Sequence, residues 1–329
     1  MTRFDDTRFD AASFAPIALA TRNGFDESLH VGAGVALDAN GAVDAGIGDH
    51  DLVVYPRSCL KPLQADAMIA AGLDIAADQL ALACASHSGE PHQLEIVCSL
   101  LSRVGLDEHA LRNTAARPYG AAARAALREA SVAPSPLQQN CSGKHAAMLA
   151  TCRLNGWSIE DYLDVDHPLQ RAITAHIETL AGESVSHVGV DGCGAPTHAF
   201  SLRGLAKAIA SLTLPGRDPR IADAMRAHPE LVGGTGRDVS AWMRSVPGLI
   251  AKEGAAGVMV AALQDGRSVA YKIADGSDAA RQAVMPEALR LIGVDEDVIA
   301  ATAHDTAIPV LGAGVPVGRL VALDWPERS

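Results

Sequence analysis

Serine and lysine recur in this chain at spacings that can support acyl-transfer chemistry, first in Ser58-Cys59-Leu60-Lys61. At a helix start, residues i and i+3 share a face, so the Lys61 amine can reach the Ser58 hydroxyl. A serine hydroxyl is a poor nucleophile until a base takes its proton. A lysine serves as that base if desolvation or nearby positive charge lowers its pKa. The helix N-terminus adds backbone N–H groups for a developing oxyanion. Taken alone, the tetrapeptide reads first as a capped helix with a solvated lysine.

Three further candidates carry reactive groups, one of them built from two segments. Ala85-Ser86-His87-Ser88-Gly89-Glu90 crowds hydroxyls, a histidine and a carboxylate around a glycine, and it also fits a polar helix terminus capped by Gly89. Asn140-Cys141-Ser142-Gly143-Lys144 pairs with Asp191-Gly192-Cys193-Gly194. One Cys-x-x-Lys and one distant cysteine are not the usual four-ligand zinc signature, and spacing alone reads both cysteines as structural. Cys141 as a nucleophile, with His145 on the same helix face, is a further option. In Ala251-Lys252-Glu253-Gly254-Ala-Ala-Gly257-Val258 a lysine enters a strand beside two glycines, which let another group approach the backbone closely. That strand resembles the Lys-Thr-Gly strand of β-lactamases and penicillin-binding proteins, which also carry Ser-x-x-Lys. Two motifs in the expected order favour the serine reading.

The elements that must position these groups follow from periodicity and turn chemistry. Ile17–Thr21 and His30–Leu37 read as strands, with Asn23-Gly24 and Asp38-Ala-Asn-Gly41 as turns. Leu60, Leu63, Ala67 and Ala71 recur at helical spacing, with Pro62 in the first turn. Helical patterns continue over 78–85, 92–104, 121–130, 145–155, 168–180, 201–212 and 219–227. Val188–Val190 is a short strand entering the Asp191–Pro196 turn. Leu249–Leu263 and Ser268–Ile273 read as paired strands joined at Asp265-Gly266, before a helix over Asp278–Leu291 and a last strand near Val315–Leu323. This order predicts an α/β (α+β) fold, with an antiparallel sheet built from both termini and a helix-rich middle. Residues 1–57 and 245–329 are the expected sheet-forming ends and 58–244 the mainly helical part of a single enzyme unit, 1–329.

The chain has 329 residues, 48% of them apolar and 20% charged, and a formal charge of −12. That balance argues against nucleic acid or an anionic membrane as partner. Six cysteines occur, none in a Cys-x-x-Cys pair, and Cys59, Cys84, Cys98 and Cys152 lie in apolar surroundings suited to free thiols. The opening Met-Thr-Arg-Phe-Asp-Asp has no signal-peptide core, and no run approaches the ~18 apolar residues of a membrane span. The expectation is a reduced, cytoplasmic enzyme.

Together, Arg57–Gln64, Ala85–Glu90, Asn140–Met148, Asp191–Pro196 and Ala251–Val258 resemble, in order, the motifs of the class 3, rhizobial-type L-asparaginases. The resemblance implies a β-lactamase- and glutaminase-like fold and hydrolysis of L-asparagine to L-aspartate and ammonia. It implies two serine–lysine tandems, Ser58 with Lys61 and Ser86 with Lys252, with Ser88 and Lys272 as alternatives for the second. It further implies zinc held by Cys141, Lys144 and Cys193, no organic cofactor, substrate orientation by Arg57 and Asp191, and a homodimer.

On this reading Lys61 takes the Ser58 proton as Ser58 attacks the side-chain amide carbon. Backbone N–H groups of Ser58 and the Val258 region hold the oxyanion, and Ser86 with Lys252 relays a proton to departing ammonia. Two other readings stay open. One is a glutaminase or another Ser–Lys amidohydrolase on the same scaffold; the other is a non-catalytic protein that binds zinc or an amino acid.

Overall fold

A computed structural model of the chain describes residues 10–326. Among them, strands β1 (Ala15–Arg22), β2 (Phe25–Leu37) and β3 (Val43–Ile47) open the chain. Asn23 and Gly24 both have positive φ, as the tight turn joining β1 to β2 requires. The Asp38 carboxylate accepts from the amides of Asn40 and Ala42 at 2.9 and 2.8 Å, which closes the turn into β3. The expected sequence turns are therefore real turns, and the strands run longer than their apolar cores.

The remaining strands are β4 (Val53–Val54), β5 (His187–Val190), β6 (Pro196–Ser201), β7 (Ile250–Gly254), β8 (Val258–Ala262), β9 (Ser268–Ile273), β10 (Pro309–Gly312) and β11 (Val315–Ala322). The main sheet has the order β10-β11-β1-β2-β9-β8-β7, with β3 also paired to β2, and every pairing is antiparallel. It is assembled from the two ends of the chain, as the order of elements predicts. The Leu202–Ser211 helix packs on β2, β8 and β9, and the Asp278–Leu291 helix packs on β1, β9 and β11. These strands bury Val35, Val260, Ala270 and Tyr271 completely.

Several expectations are corrected. Leu249–Leu263 is not one strand but the β7–β8 hairpin, because Ala256 and Gly257 take positive φ and reverse the chain. The mainly helical middle also holds β5 and β6, which with β4 form a second, three-stranded sheet. Strand β6 is buried at every position, so it lacks the alternation that marks a half-exposed strand. The Pro229–Gly233, Asp238–Ser245 and Glu296–Thr306 helices, and β10, were not expected from periodicity. Among the described residues no helix is long and apolar enough to cross a membrane.

Candidate active site

Strand β4 leads through Pro56 into a short 3-10 turn, Arg57–Leu60, which runs directly into the Lys61–Ala70 helix. Arg57 sits at φ 54° at this junction, a strained position for a side-chain-bearing residue. The Cys59 thiol donates to the Lys252 carbonyl at 3.0 Å and so ties the turn to β7. A side chain on Gly254 would stand 2.3 Å from the Pro56 carbonyl oxygen. Only glycine allows the two backbones this close, which is what the glycines beside Lys252 suggest in the sequence.

This close approach brings Ser58 and β7 to one cavity of about 260 Å³, which Ser86, Asn140, Arg237, Glu253 and the Gly254–Gly257 turn also line. Ser58 is half-buried, and its hydroxyl has no protein partner among the described hydrogen bonds. Lys61 is buried and its amine points elsewhere. It donates closely to the Ala85 carbonyl, at 3.2 Å to the Ser86 hydroxyl and at 3.5 Å to the Asn140 carbonyl. The i, i+3 spacing therefore does not produce a Ser58–Lys61 hydrogen bond, because the buried amine finds its acceptors at Ala85, Ser86 and Asn140 instead.

Ser86 is the meeting point. Its hydroxyl also receives the Lys252 amine at 3.0 Å, and that amine reaches the Glu253 carbonyl at 3.0 Å and the Glu253 carboxylate at 2.9 Å. Burial brings the Lys252 pKa down to about 8, with the Lys61 charge acting in the same direction and Glu253 opposing it. The alternatives for this position lie apart. Lys272 donates to the carbonyls of Ala256 and Ile273, each at 2.6 Å, bracing the β7–β8 turn. Ser88 is buried against Gly234 and Gly120. Val258 lies within the sheet, paired to Gly254 and Lys272, so the backbone facing the cavity is the Gly254–Gly257 turn rather than Val258.

The other expected group forms a second cluster beside the first. The Ser142–Asn155 helix starts just after Cys141, and its Gly143 packs so tightly on Leu82 that a side chain would stand 2.4 Å from the Leu82 carbonyl oxygen. Lys144, buried on that helix, donates to the Cys193 sulfur at 3.3 Å. Cys193 is held by a tight turn in which the Gly194 amide reaches the Asp191 carbonyl at 2.8 Å. The Arg57 guanidinium donates to the Asp191 carboxylate at 2.6 Å. Burial alone would raise the Asp191 carboxyl, but Lys144 and Arg57 outweigh it and lower its pKa.

A hydrogen bond from Cys141, with Lys144 behind it, brings the Cys193 thiol down to about 5 against the opposing effect of burial. The same bond and burial push Cys141 up to about 12, which makes it a poor nucleophile. His145 bonds the Tyr162 hydroxyl at 2.8 Å rather than Cys141. The Cys141–His145 option is therefore corrected. Among the described residues no group of three or more His, Cys, Asp or Glu side chains could hold a metal ion. Cys141, Lys144 and Cys193 nevertheless bring two sulfurs and an amine together, a donor set that fits a soft divalent cation once the Cys141 and Lys144 protons leave.

Sequence reasoning passed over three residues of the first cluster. Glu253 stood unremarked beside Lys252. Arg237 follows the Gly233-Gly-Thr-Gly236 run, where only the glycines attract notice; its guanidinium donates to Glu253 at 2.9 Å and to the Ser86 carbonyl at 3.0 Å. Tyr119 lies under Arg237, its ring centre 4.4 Å from the guanidinium carbon.

No curated protein sequence matches the chain. Among solved structures it resembles Mglu in its native form, 14% identical with a TM-score of 0.40, over 83% of this chain and 62% of that one. The chain thus spans less than two thirds of the Mglu chain. It also resembles a β-lactamase from Mycobacterium bovis, 15% identical with a TM-score of 0.40, over 84% of this chain and 94% of that one. The L-asparaginase II family profile matches residues 18–322, nearly the whole chain. The chain belongs to the L-asparaginase II family.

Proposed function

We propose that the protein hydrolyses L-asparagine to L-aspartate and ammonia through a serine-bound acyl intermediate. The observation that carries this reading is the Ser86 hydroxyl, bonded to both lysine amines at the wall of the cavity that Ser58 lines. A cavity of about 260 Å³ suits a small amino acid, since drug-sized ligands occupy roughly 300–1,000 Å³.

In this mechanism the Ser58 hydroxyl attacks the side-chain amide carbon and its proton passes to a neutral Lys61 amine, which must turn toward Ser58 from its acceptors at Ala85 and Ser86. Ser86 connects Lys61 to Lys252, so the proton can move along a chain of hydrogen bonds to the nitrogen that departs as ammonia. Water then cleaves the ester on Ser58. Backbone N–H groups of Ser58 and of the Gly254–Gly257 turn stabilise the oxyanion, each such donor being worth about 3 kcal/mol. Arg57 and Asp191, locked together beside the Ser58 turn, orient the α-groups of the substrate. Cys141, Lys144 and Cys193 would hold zinc. The metal would be charge-balanced there by two thiolates beside a neutral amine, and would fix the turn that carries Asp191 rather than act on the substrate.

L-glutamine differs from asparagine by one methylene, a difference that apolar contacts discriminate by only ~1–3 kcal/mol. Ammonia release from each amide, measured as kcat/KM, tests the assignment. Asparagine is expected to be preferred; preference for glutamine would make the protein a glutaminase, and release from neither would favour a binding protein.

A further inference from the structure

Three basic side chains, Lys61, Lys252 and Arg237, surround Ser86, and Glu253 is the carboxylate that both Lys252 and Arg237 reach. One Glu253 oxygen accepts from both cations at 2.9 Å. The other is buried and has no hydrogen-bond partner among the described residues. Burying a carboxylate with an unsatisfied oxygen is costly, so its place here calls for a reason beyond packing. Arg237 supplies the geometry: one arm holds the Glu253 carboxylate, the other holds the Ser86 carbonyl, and the Tyr119 ring supports its face.

We propose that Glu253, pinned by Arg237, is a positioning residue that holds the Lys252 amine against Ser86 and sets how much of that amine carries a proton. The inference rests on the asparaginase reading, and it assigns the tuning of the proton relay to a residue pair outside the two serine–lysine tandems.

The surroundings of Lys252 fix the signs. Burial lowers its pKa most; Lys61 and Arg237 also lower it, and Glu253 raises it. Cys59 on the Arg57–Leu60 turn and Cys84 at the end of the Ala77–Ala83 helix face the same region, but burial pushes both thiols up to about 12 and keeps them neutral. Burial opposes the charge on Glu253, yet Lys252, Arg237 and Arg281 together hold its carboxyl down to about 2. Arg281 is itself paired with Asp238 and Asp278.

Replacing Glu253 by Gln removes an upward pull, so Lys252 gives up its proton at lower pH. Replacing Arg237 by Gln removes a downward pull, so Lys252 keeps its proton to higher pH. Because Lys252 can take up the relayed proton only when its amine is neutral, the rising limb of kcat/KM against pH follows Lys252 in each case. A general loosening of the site would move both variants the same way.

The test is the pH dependence of kcat/KM for L-asparagine in wild type, Glu253→Gln and Arg237→Gln. Beside it, the Lys252 side chain is titrated by NMR in ¹³C-lysine-labelled protein, with Lys252→Met identifying the signal. The rising limb and the NMR midpoint are expected to fall in Glu253→Gln and to rise in Arg237→Gln, each by roughly one pH unit or more. Arg237→Lys, which keeps the charge, should stay near wild type. Midpoints that move in the same direction, or not at all, overturn the proposal. If Glu253→Gln does not fold, the two Arg237 variants decide it alone. If asparagine is not hydrolysed at any pH, the NMR titration still decides the inference, and only the functional reading fails.

Discussion

The Lys252 amine donates to the Ser86 hydroxyl at 3.0 Å, although 166 residues separate the two in sequence. The contact exists because β7 is the edge strand of the main sheet, with the Arg57–Leu60 turn pressed against it at Gly254. Lys61 reaches the same hydroxyl from the opposite side of the chain order. Ser86 is thus a side chain to which both lysine amines donate.

Replacing Ser86 by Ala removes that shared partner and leaves the two amines without a link. Loss of a positioned proton-transfer group costs roughly 10²–10⁴-fold in rate, so kcat/KM for asparagine should fall by that range while the thermal midpoint changes little. Activity within a few fold of wild type would mean that the relay does not run through Ser86.

Gly254→Ala tests how the site is assembled. The new methyl would meet the Pro56 carbonyl oxygen at 2.3 Å, a backbone atom that cannot turn aside. The strand and the Ser58 turn must separate, at a cost of about 1–3 kcal/mol for overpacking. Activity should fall more steeply than stability, because Ser58 and Lys252 are displaced relative to each other. Denaturant unfolding beside kcat/KM reads the two effects separately; an unchanged protein would show that the close approach is dispensable.

The turns, and a sheet built from both ends of the chain, were legible in the sequence: the turns rest on local chemistry and the sheet on where the strand patterns fall. Asn23-Gly24, the Asp38 cap and Asp265-Gly266 all announce reversals that the fold contains. Strand β6 was not legible, since a strand buried on both faces loses its alternation. At the site, the serines and lysines stood out as residue types with a known chemical use. Their pairing did not: i, i+3 spacing points Lys61 at Ser58, whereas the buried amine turns to Ser86 for its acceptors. Arg237 was invisible for a similar reason. Its partners, Ser86 and Glu253, lie 151 and 16 residues away, and nothing next to it hints at either.

The cysteine–lysine cluster carries its own prediction. Zinc binding there must expel the protons of Cys141 and Lys144, so affinity should fall steeply as pH drops. Elemental analysis of purified protein should find zinc in wild type, lost after dialysis at acidic pH and absent from Cys193→Ala, with a lower thermal midpoint in the metal-free forms. Retention of zinc by Cys193→Ala would place the metal elsewhere.

The most direct test of the central claim is ammonia release from L-asparagine by Ser58→Ala beside wild type, with hydroxylamine present to trap the acyl group. Wild type should release ammonia and yield aspartyl hydroxamate, and Ser58→Ala should give neither above background while remaining folded. Full activity in Ser58→Ala would contradict the account and transfer the nucleophile's role to another side chain of the cavity.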